Sequence, residues 1–201
     1  MKKLLLLSAV ALMATSANAM DIKPYVEGKI SENFMKAKYE EPDFNKKFDD
    51  SVIGGSIELG VKIENQFRIG LEGYYNDKME DKINYLGFGF PVELESKGLF
   101  LNGYYDFKLP NVEKVKPFVG LGVGYSWMKE TLKLTDYGMP NESIKDKDWG
   151  YQIGAGVSYE VNQNIDLTLG YRYENLGKIK DVDSENKLTN HKVSVGLRYT
   201  F

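Results

Sequence analysis

The chain of 201 residues has no cysteine and one histidine, His191. The first absence excludes a disulfide scaffold and any thiolate-ligated zinc or iron–sulfur centre. The second excludes a metal site assembled from several histidines of one chain. Beyond the first twenty positions no apolar run approaches the ~20 residues that a membrane-spanning helix needs. A surplus of basic charge is also lacking. Lysine and arginine number 26 against 29 aspartate and glutamate, which argues against nucleic acid as a partner, since phosphate recognition draws on excess cations. What is abundant is glycine, 20 residues, and tyrosine, 14.

The N-terminus has the three parts of an export signal. Lys2 and Lys3 are followed by an apolar stretch over 4–13 and by the small-residue site Ala17-Asn18-Ala19. Ten apolar residues are too few to span a bilayer, so residues 1–19 are expected to be a cleaved signal peptide and 20–201 the mature domain. Cleavage removes two basic residues and no acidic one, leaving a net charge of −5. The mature chain is expected outside the cytoplasm.

Period-two alternation runs through that mature chain, as in strands whose two faces meet different surroundings. Over 51–64, Ile53, Gly55, Ile57, Leu59, Val61 and Ile63 oppose Val52, Gly54, Ser56, Glu58, Gly60 and Lys62. Over 165–174, Ile165, Leu167, Leu169, Tyr171 and Tyr173 oppose Asp166, Thr168, Gly170, Arg172 and Glu174. The segments 22–35, 67–76, 98–107, 116–128, 148–161 and 191–201 follow the same rule, most weakly in the first. Eight strands result. Their connections alternate between short turns (65–66, 108–115, 162–164) and long polar loops (39–50, 77–97, 129–147, 175–190), the asymmetry of outer-membrane barrels.

The expected fold is therefore all-β, an eight-stranded antiparallel up-and-down transmembrane β-barrel. An eight-stranded lumen is only wide enough for side chains to fill. The bulky Ile/Leu/Tyr/Trp face does not fit there, whereas the glycine-rich, charged face does. The bulky face should then meet lipid, with aromatic girdles at both interfaces: Phe67, Phe107, Tyr159, Tyr199 and Phe201 near the turns, and Tyr75, Trp127, Trp149, Tyr151 and Tyr173 near the loops. Segment 83–94 resists this scheme, because its apolar positions break parity with 98–107 and Pro91 interrupts it. It reads as part of a long outer loop, with a ten-stranded barrel as the alternative.

Three stretches resemble the small outer-membrane β-barrel family that includes OmpA-type transmembrane domains and OmpX/Ail-like proteins. Lys116-Pro-Phe-Val-Gly-Leu-Gly-Val-Gly-Tyr125 is similar to its fifth strand and Ile165-Asp-Leu-Thr-Leu-Gly-Tyr-Arg-Tyr-Glu174 to its seventh. Val193-Ser-Val-Gly-Leu-Arg-Tyr-Thr-Phe201 is similar to its last. The resemblance covers the mature chain. It implies an outer-membrane location and a terminal aromatic signal, Tyr199 and Phe201, read by the barrel-assembly machinery.

The chemistry expected of such a chain is modest. The period-two glycines Gly120, Gly122 and Gly124 lie inside a strand with no helix following, so they are not a phosphate loop; glycine there saves lumen volume. The acidic stretch 181–185 lacks calcium-loop spacing and reads as solvated. His191 and Ser194 are three apart on one strand, hence on opposite faces, which disfavours a lipid-modifying enzyme. No cofactor or metal is expected. The inward charges need cross-lumen partners, because an unpaired buried charge is costly. Glu58 and Glu72, on adjacent strands, are expected to share the lumen with Arg172 or Arg198. The chain is thus expected to be a monomer embedded in outer-membrane lipid. Its lumen should be polar and plugged, and its four outer loops should contact host or environmental ligands. A narrow channel for ions or small solutes is the alternative.

Overall fold

The computed structural model describes residues 21–41, 44–85, 88–133, 140–180 and 185–201; the signal peptide expected at 1–19 lies outside them. Eight antiparallel strands follow one another in chain order: β1 (Ile22–Glu41), β2 (Phe44–Ile63), β3 (Phe67–Tyr85), β4 (Phe88–Asp106), β5 (Val115–Leu132), β6 (Glu142–Glu160), β7 (Ile165–Lys180) and β8 (Glu185–Thr200). Each pairs with its sequence neighbour, and β8 returns to β1 through a register running from Tyr25↔Thr200 to Tyr39↔Asn186, which closes the barrel. Closure leaves no strand edge to be satisfied by lipid.

Local chemistry sets the short turns. Glu64 and Asn65 both take positive φ, 51° and 57°, and Gln66 N–H donates to the Ile63 carbonyl at 3.1 Å. That is the two-residue turn whose twist suits a right-twisted hairpin. In the β6–β7 turn the Asn162 side-chain oxygen accepts from the backbone N–H of Asn164 and of Ile165, both at 2.9 Å, an Asx turn.

The strands are longer than alternation foretells. Each has 16–20 residues, whereas crossing a bilayer takes ~9–11. The surplus lies at the end away from the turns, so the segments expected as long loops (39–50, 77–97, 129–147, 175–190) are largely strand. This corrects the loop reading, and the cause is physical. Beyond the membrane the contrast between lipid outside and charge inside ends, so the ladder continues while the apolar alternation that reveals it stops.

Segment 83–94 belongs to this extension. The β3–β4 register shifts between Asn76 and Met79. This bulge flips the parity of β3, so that Met79 joins Asn76 on the inner face and lies opposite Leu94. On β4 itself, which pairs with β5 without a shift, Val92 and Leu94 share the inner face with Ser96 and Phe100, so the parity break in the sequence marks an inner face that turns apolar rather than an added strand. A second shift, between Asn175 and Gly177, leaves the buried Leu176 unpaired and brings Gly177, at φ 101°, opposite Leu188.

The faces are partitioned as expected. Ile57, Leu59, Leu71, Leu101, Leu121, Ile153, Leu169 and Val195 point outward and are exposed, while Glu58, Glu72, Asn102, Thr168 and Arg198 point inward and are buried. Aromatic rings stack edge to face around both rims. Tyr105 contacts Phe67 at 5.0 Å and Phe107 at 4.9 Å at the turn end, and Tyr125 contacts Trp127 at 5.4 Å and Trp149 at 5.6 Å at the other.

The inward glycines let aromatic side chains lie flat against the wall. A Cβ at Gly60 would stand 2.6 Å from Tyr25 Cζ, whereas at Gly28 and Gly103, on the outer face, it would meet nothing within 4 Å. Gly60→Val should therefore destabilise the barrel by about 1–3 kcal/mol, the usual cost of overpacking, and Gly103→Val should leave it unchanged. Urea unfolding in detergent would check both, and equal midpoints for the two variants would refute the packing role.

Candidate functional site

The lumen holds the polar chemistry of this molecule. Register places three carboxylates side by side on its wall, since Glu27 lies opposite Glu58 and Glu58 opposite Glu72. Adjacent like charges are tolerated only if cations and donors reach them, and all three are so supplied, with Lys29 and Asn102 shared between Glu58 and Glu72. Glu58 is held by Lys29 at 3.0 Å, by the hydroxyls of Tyr25 at 2.5 Å and Tyr104 at 2.7 Å, and by the Asn102 amide at 3.0 Å. Glu72 accepts from Arg172 Nη1 at 2.6 Å and Asn102 Nδ2 at 2.8 Å, with Lys29 at 3.4 Å. Glu27 accepts from Arg198 Nε at 3.2 Å and the Thr168 hydroxyl at 2.7 Å.

Of the four residues singled out from sequence, the structure brings Glu72 and Arg172 together and sets Glu58 beside them. Arg198 stands apart, because its partners are Glu27 and Asp166 (3.5 Å) rather than Glu58 or Glu72. Lys29, Tyr25, Tyr104 and Asn102 complete the group. Lys29 and Tyr25 belong to β1, where alternation is weakest, so the charge that bridges Glu58 and Glu72 was the least legible. Gly154 accommodates Arg172, as a Cβ there would stand 2.6 Å from Arg172 Cγ, while Gly156 lies against Phe118.

The network continues towards both ends. On the turn side Arg68 makes a two-pronged bond to Asp106, Nε and Nη2 each at 2.8 Å, with its guanidinium 4.3 Å from the Tyr104 ring centre. On the far side Lys192 pairs with Glu174 at 2.8 Å, and Asn190 bridges Glu174 and Asn33. Among the described residues seven carboxylates are buried (Glu27, Glu58, Glu72, Glu93, Asp106, Asp166, Glu174) beside six buried cations (Lys29, Lys62, Arg68, Arg172, Lys192, Arg198).

Above the charges lies an apolar layer that sequence reasoning did not foresee. Met35, Val52, Tyr74, Met79, Leu94, Phe100, Met128, Leu176 and Leu188 form one buried cluster. Its outer members sit where the alternation signal fades and the two bulges change parity. Still farther out, Glu93 bridges Lys78 at 3.1 Å and Lys133, and these ammonium groups hold its carboxyl below the ordinary glutamate pKa. Inside the lumen, a cavity of about 20 Å³ between Asn102, Gln152, Arg172 and Thr168 has room for about one water.

The residues weighed for catalysis do not meet. His191 lies on the outer face with Nδ1 2.7 Å from the Tyr171 hydroxyl and its ring 5.3 Å from that of Tyr173, while Ser194 is buried inside. Among the described residues no cluster of three His, Cys, Asp or Glu is arranged to hold a metal ion; residues 181–184 of the acidic stretch fall outside them. Tyr199 and Phe201 are exposed at the turn end with ring centres 5.0 Å apart.

A closed barrel with an apolar outside and a charged inside is an architecture for lipid surroundings. The family model "Outer membrane protein beta-barrel domain" matches residues 4–201. The chain belongs to that family. It is an outer-membrane protein, and relatives bear the same location in their names. The chain is 25% identical over 177 residues to outer membrane protein PagN of Salmonella typhimurium, covering 75% of this chain and 73% of that one. It is 26% identical over 244 residues to the 31 kDa outer-membrane immunogenic protein of Brucella melitensis, covering all of both. Among solved structures, Neisserial surface protein A superposes with a TM-score of 0.54 at 25% identity, over 89% of this chain and 97% of that one. OprG of Pseudomonas aeruginosa, at 15% identity and a TM-score of 0.59 over 89% and 95%, shares the fold.

Proposed function

We propose that this chain is a sealed, monomeric outer-membrane barrel whose projecting outer strands and their tips contact ligands outside the cell. The observation that carries the reading is the excess strand length, all of it at the end opposite the turns. At ~3.4 Å per residue and ~40° tilt, eight surplus residues raise the wall roughly 20 Å above the lipid. The lumen serves as support for that wall. Its cross-lumen ion pairs, its single-water cavity and its apolar outer layer support a plug rather than an ion path. Relatives named as an immunogenic protein and a surface protein support contact at the outer end. With His191 and Ser194 on opposite faces, no reaction is assigned to it.

Shortening the tips tests the contact role. Cells displaying the full chain should adhere to host-cell or matrix surfaces, and cells displaying a barrel cut back across 39–46 and 134–141 should not, at equal surface levels. Equal adherence would overturn the reading. In planar bilayers the full chain should give no resolvable single-channel steps, and steady ion conductance would overturn the plug.

Tyr199 and Phe201 act in assembly. Phe201→Ala should lower the amount of folded barrel made in cells while leaving refolding into detergent unchanged, as heat-modified gel mobility would report. A parallel loss in both settings would mean a structural role only.

A further inference from the structure

The turn end of the lumen is built differently from its middle. Register sets three cations side by side there, since Lys23 lies opposite Lys62 and Lys62 opposite Arg68. Like charges in direct opposition cost stability, and two of the three have a carboxylate of their own. Lys23 pairs with Asp21 at 3.1 Å, and Arg68 is held by Asp106. Lys62 is buried and forms no ion pair with a described residue. The charged groups that face it are Asp166, Lys116, Asp106 and Arg198. Each carboxylate nearby is engaged by another cation. Asp106 gives both oxygens to Arg68, Asp166 meets Arg198 at 3.5 Å, and Glu160 meets Lys116 at 2.5 Å.

Arg198 holds a second unmet donor beside Lys62. Its Nε donates to Glu27 and its Nη1 to Asp166, but the buried Nη2 has no hydrogen-bond partner. A buried donor left unsatisfied is costly. Both unmet groups stand at the floor of an open basin of about 760 Å³ at the turn end. Its lining includes Lys23, directly opposite Lys62, and Thr200, two residues from Arg198 on β8, with Lys116 and Glu160 on the far wall.

We propose that this floor binds one inorganic phosphate from the solution on the turn side, with Lys62 Nζ and Arg198 Nη2 as its donors and Lys116 at its entrance. An ammonium and a guanidinium with one free N–H direction each suit the oxygens of a compact oxyanion. The neighbouring carboxylates narrow the choice. At neutral pH phosphate keeps an O–H that donates to Asp166, whose bond to Arg198 is long. Sulfate is fully ionised and would meet the same carboxylate as a bare like charge. The inference goes beyond the surface-contact role and concerns the opposite end of the barrel.

The test is calorimetric titration of the refolded full-length barrel in zwitterionic detergent at pH 7, with ionic strength held constant by chloride. Sodium phosphate should bind saturably with one site, and sulfate roughly tenfold or more weakly for want of the O–H. Lys62→Met should weaken phosphate by roughly tenfold or more, the loss of one charged hydrogen bond, while Lys97→Gln at the far end should bind as wild type. In phosphate-free buffer Lys62→Met should unfold in urea no earlier than wild type, because the lysine it removes strands no partner. Wild type needs no variant to locate the site: phosphate should shift the amide resonances around Lys62 and Arg198 and leave those around Lys192 in place. No saturable heat, equal or tighter sulfate binding, or unaltered phosphate binding by Lys62→Met would overturn the proposal. Earlier unfolding of Lys62→Met would make the lysine a structural partner of Asp106 or Asp166 and overturn it too. So would displacement of phosphate by phosphatidylglycerol in the micelle, because the site would then lie on the lipid-facing wall.

Discussion

Arg172→Leu should lower the unfolding free energy of the barrel by about 3–5 kcal/mol, the cost of stripping one partner from a buried ion pair. The guanidinium is the nearest cation to Glu72, at 2.6 Å, and it also donates to the Tyr104 hydroxyl at 3.3 Å. Without it, Lys29 is left to neutralise both Glu58 and Glu72, two carboxylates directly opposite in register. The pair variant Arg172→Leu/Glu72→Gln should recover much of the loss, since the uncompensated charge goes with the second substitution. Urea unfolding of the four species in detergent closes the double-mutant cycle. An unchanged midpoint for Arg172→Leu would remove the network from any account of stability.

A comparable loss is expected on the other face. Leu169 is the middle of five outward residues on β7 and lies opposite Val157 and Val195 on its neighbours, all apolar. An arginine at the bilayer midplane of a barrel costs about 2–4 kcal/mol, falling to about 0–1 near the interfaces. Leu169→Arg should therefore sharply reduce the folded yield in lipid vesicles. Tyr199→Arg, close to the turn-end rim, should be milder. Equal yields for the two would mean that the apolar band is not centred on Leu169.

The central halves of the strands were legible because lipid on one side and a packed, charged lumen on the other impose strict alternation. One residue of slip would have exchanged Thr168 with Leu169 and every pair like them. The outer halves were hidden because the lipid-outside, charge-inside contrast ends there, so β3 and β7 continue as strand to Tyr85 and Lys180 with no periodic mark. The inner face itself turns apolar at that level, so Leu94, on the same face as Ser96 and Phe100, breaks the pattern of outward apolar residues while lining the buried layer. In the lumen, charge type and face were readable, but partnership was not. Which cation meets which carboxylate depends on strand stagger and on glycines such as Gly154 that clear a path, and neither is written in any single strand. Arg198 accordingly pairs across the β8–β1 seam with Glu27 rather than with Glu58.

The central claim, that lipid lies on the Leu169 face and the charges lie within, has a direct test. Single-cysteine variants at 168 and 169, placed in a chain that has no native cysteine, would carry a small fluorophore and be folded into vesicles of lipid brominated at mid-chain. Strong quenching at 169 with little at 168 is the predicted result; strong quenching at 168 with little at 169 would show that the barrel has been turned inside out.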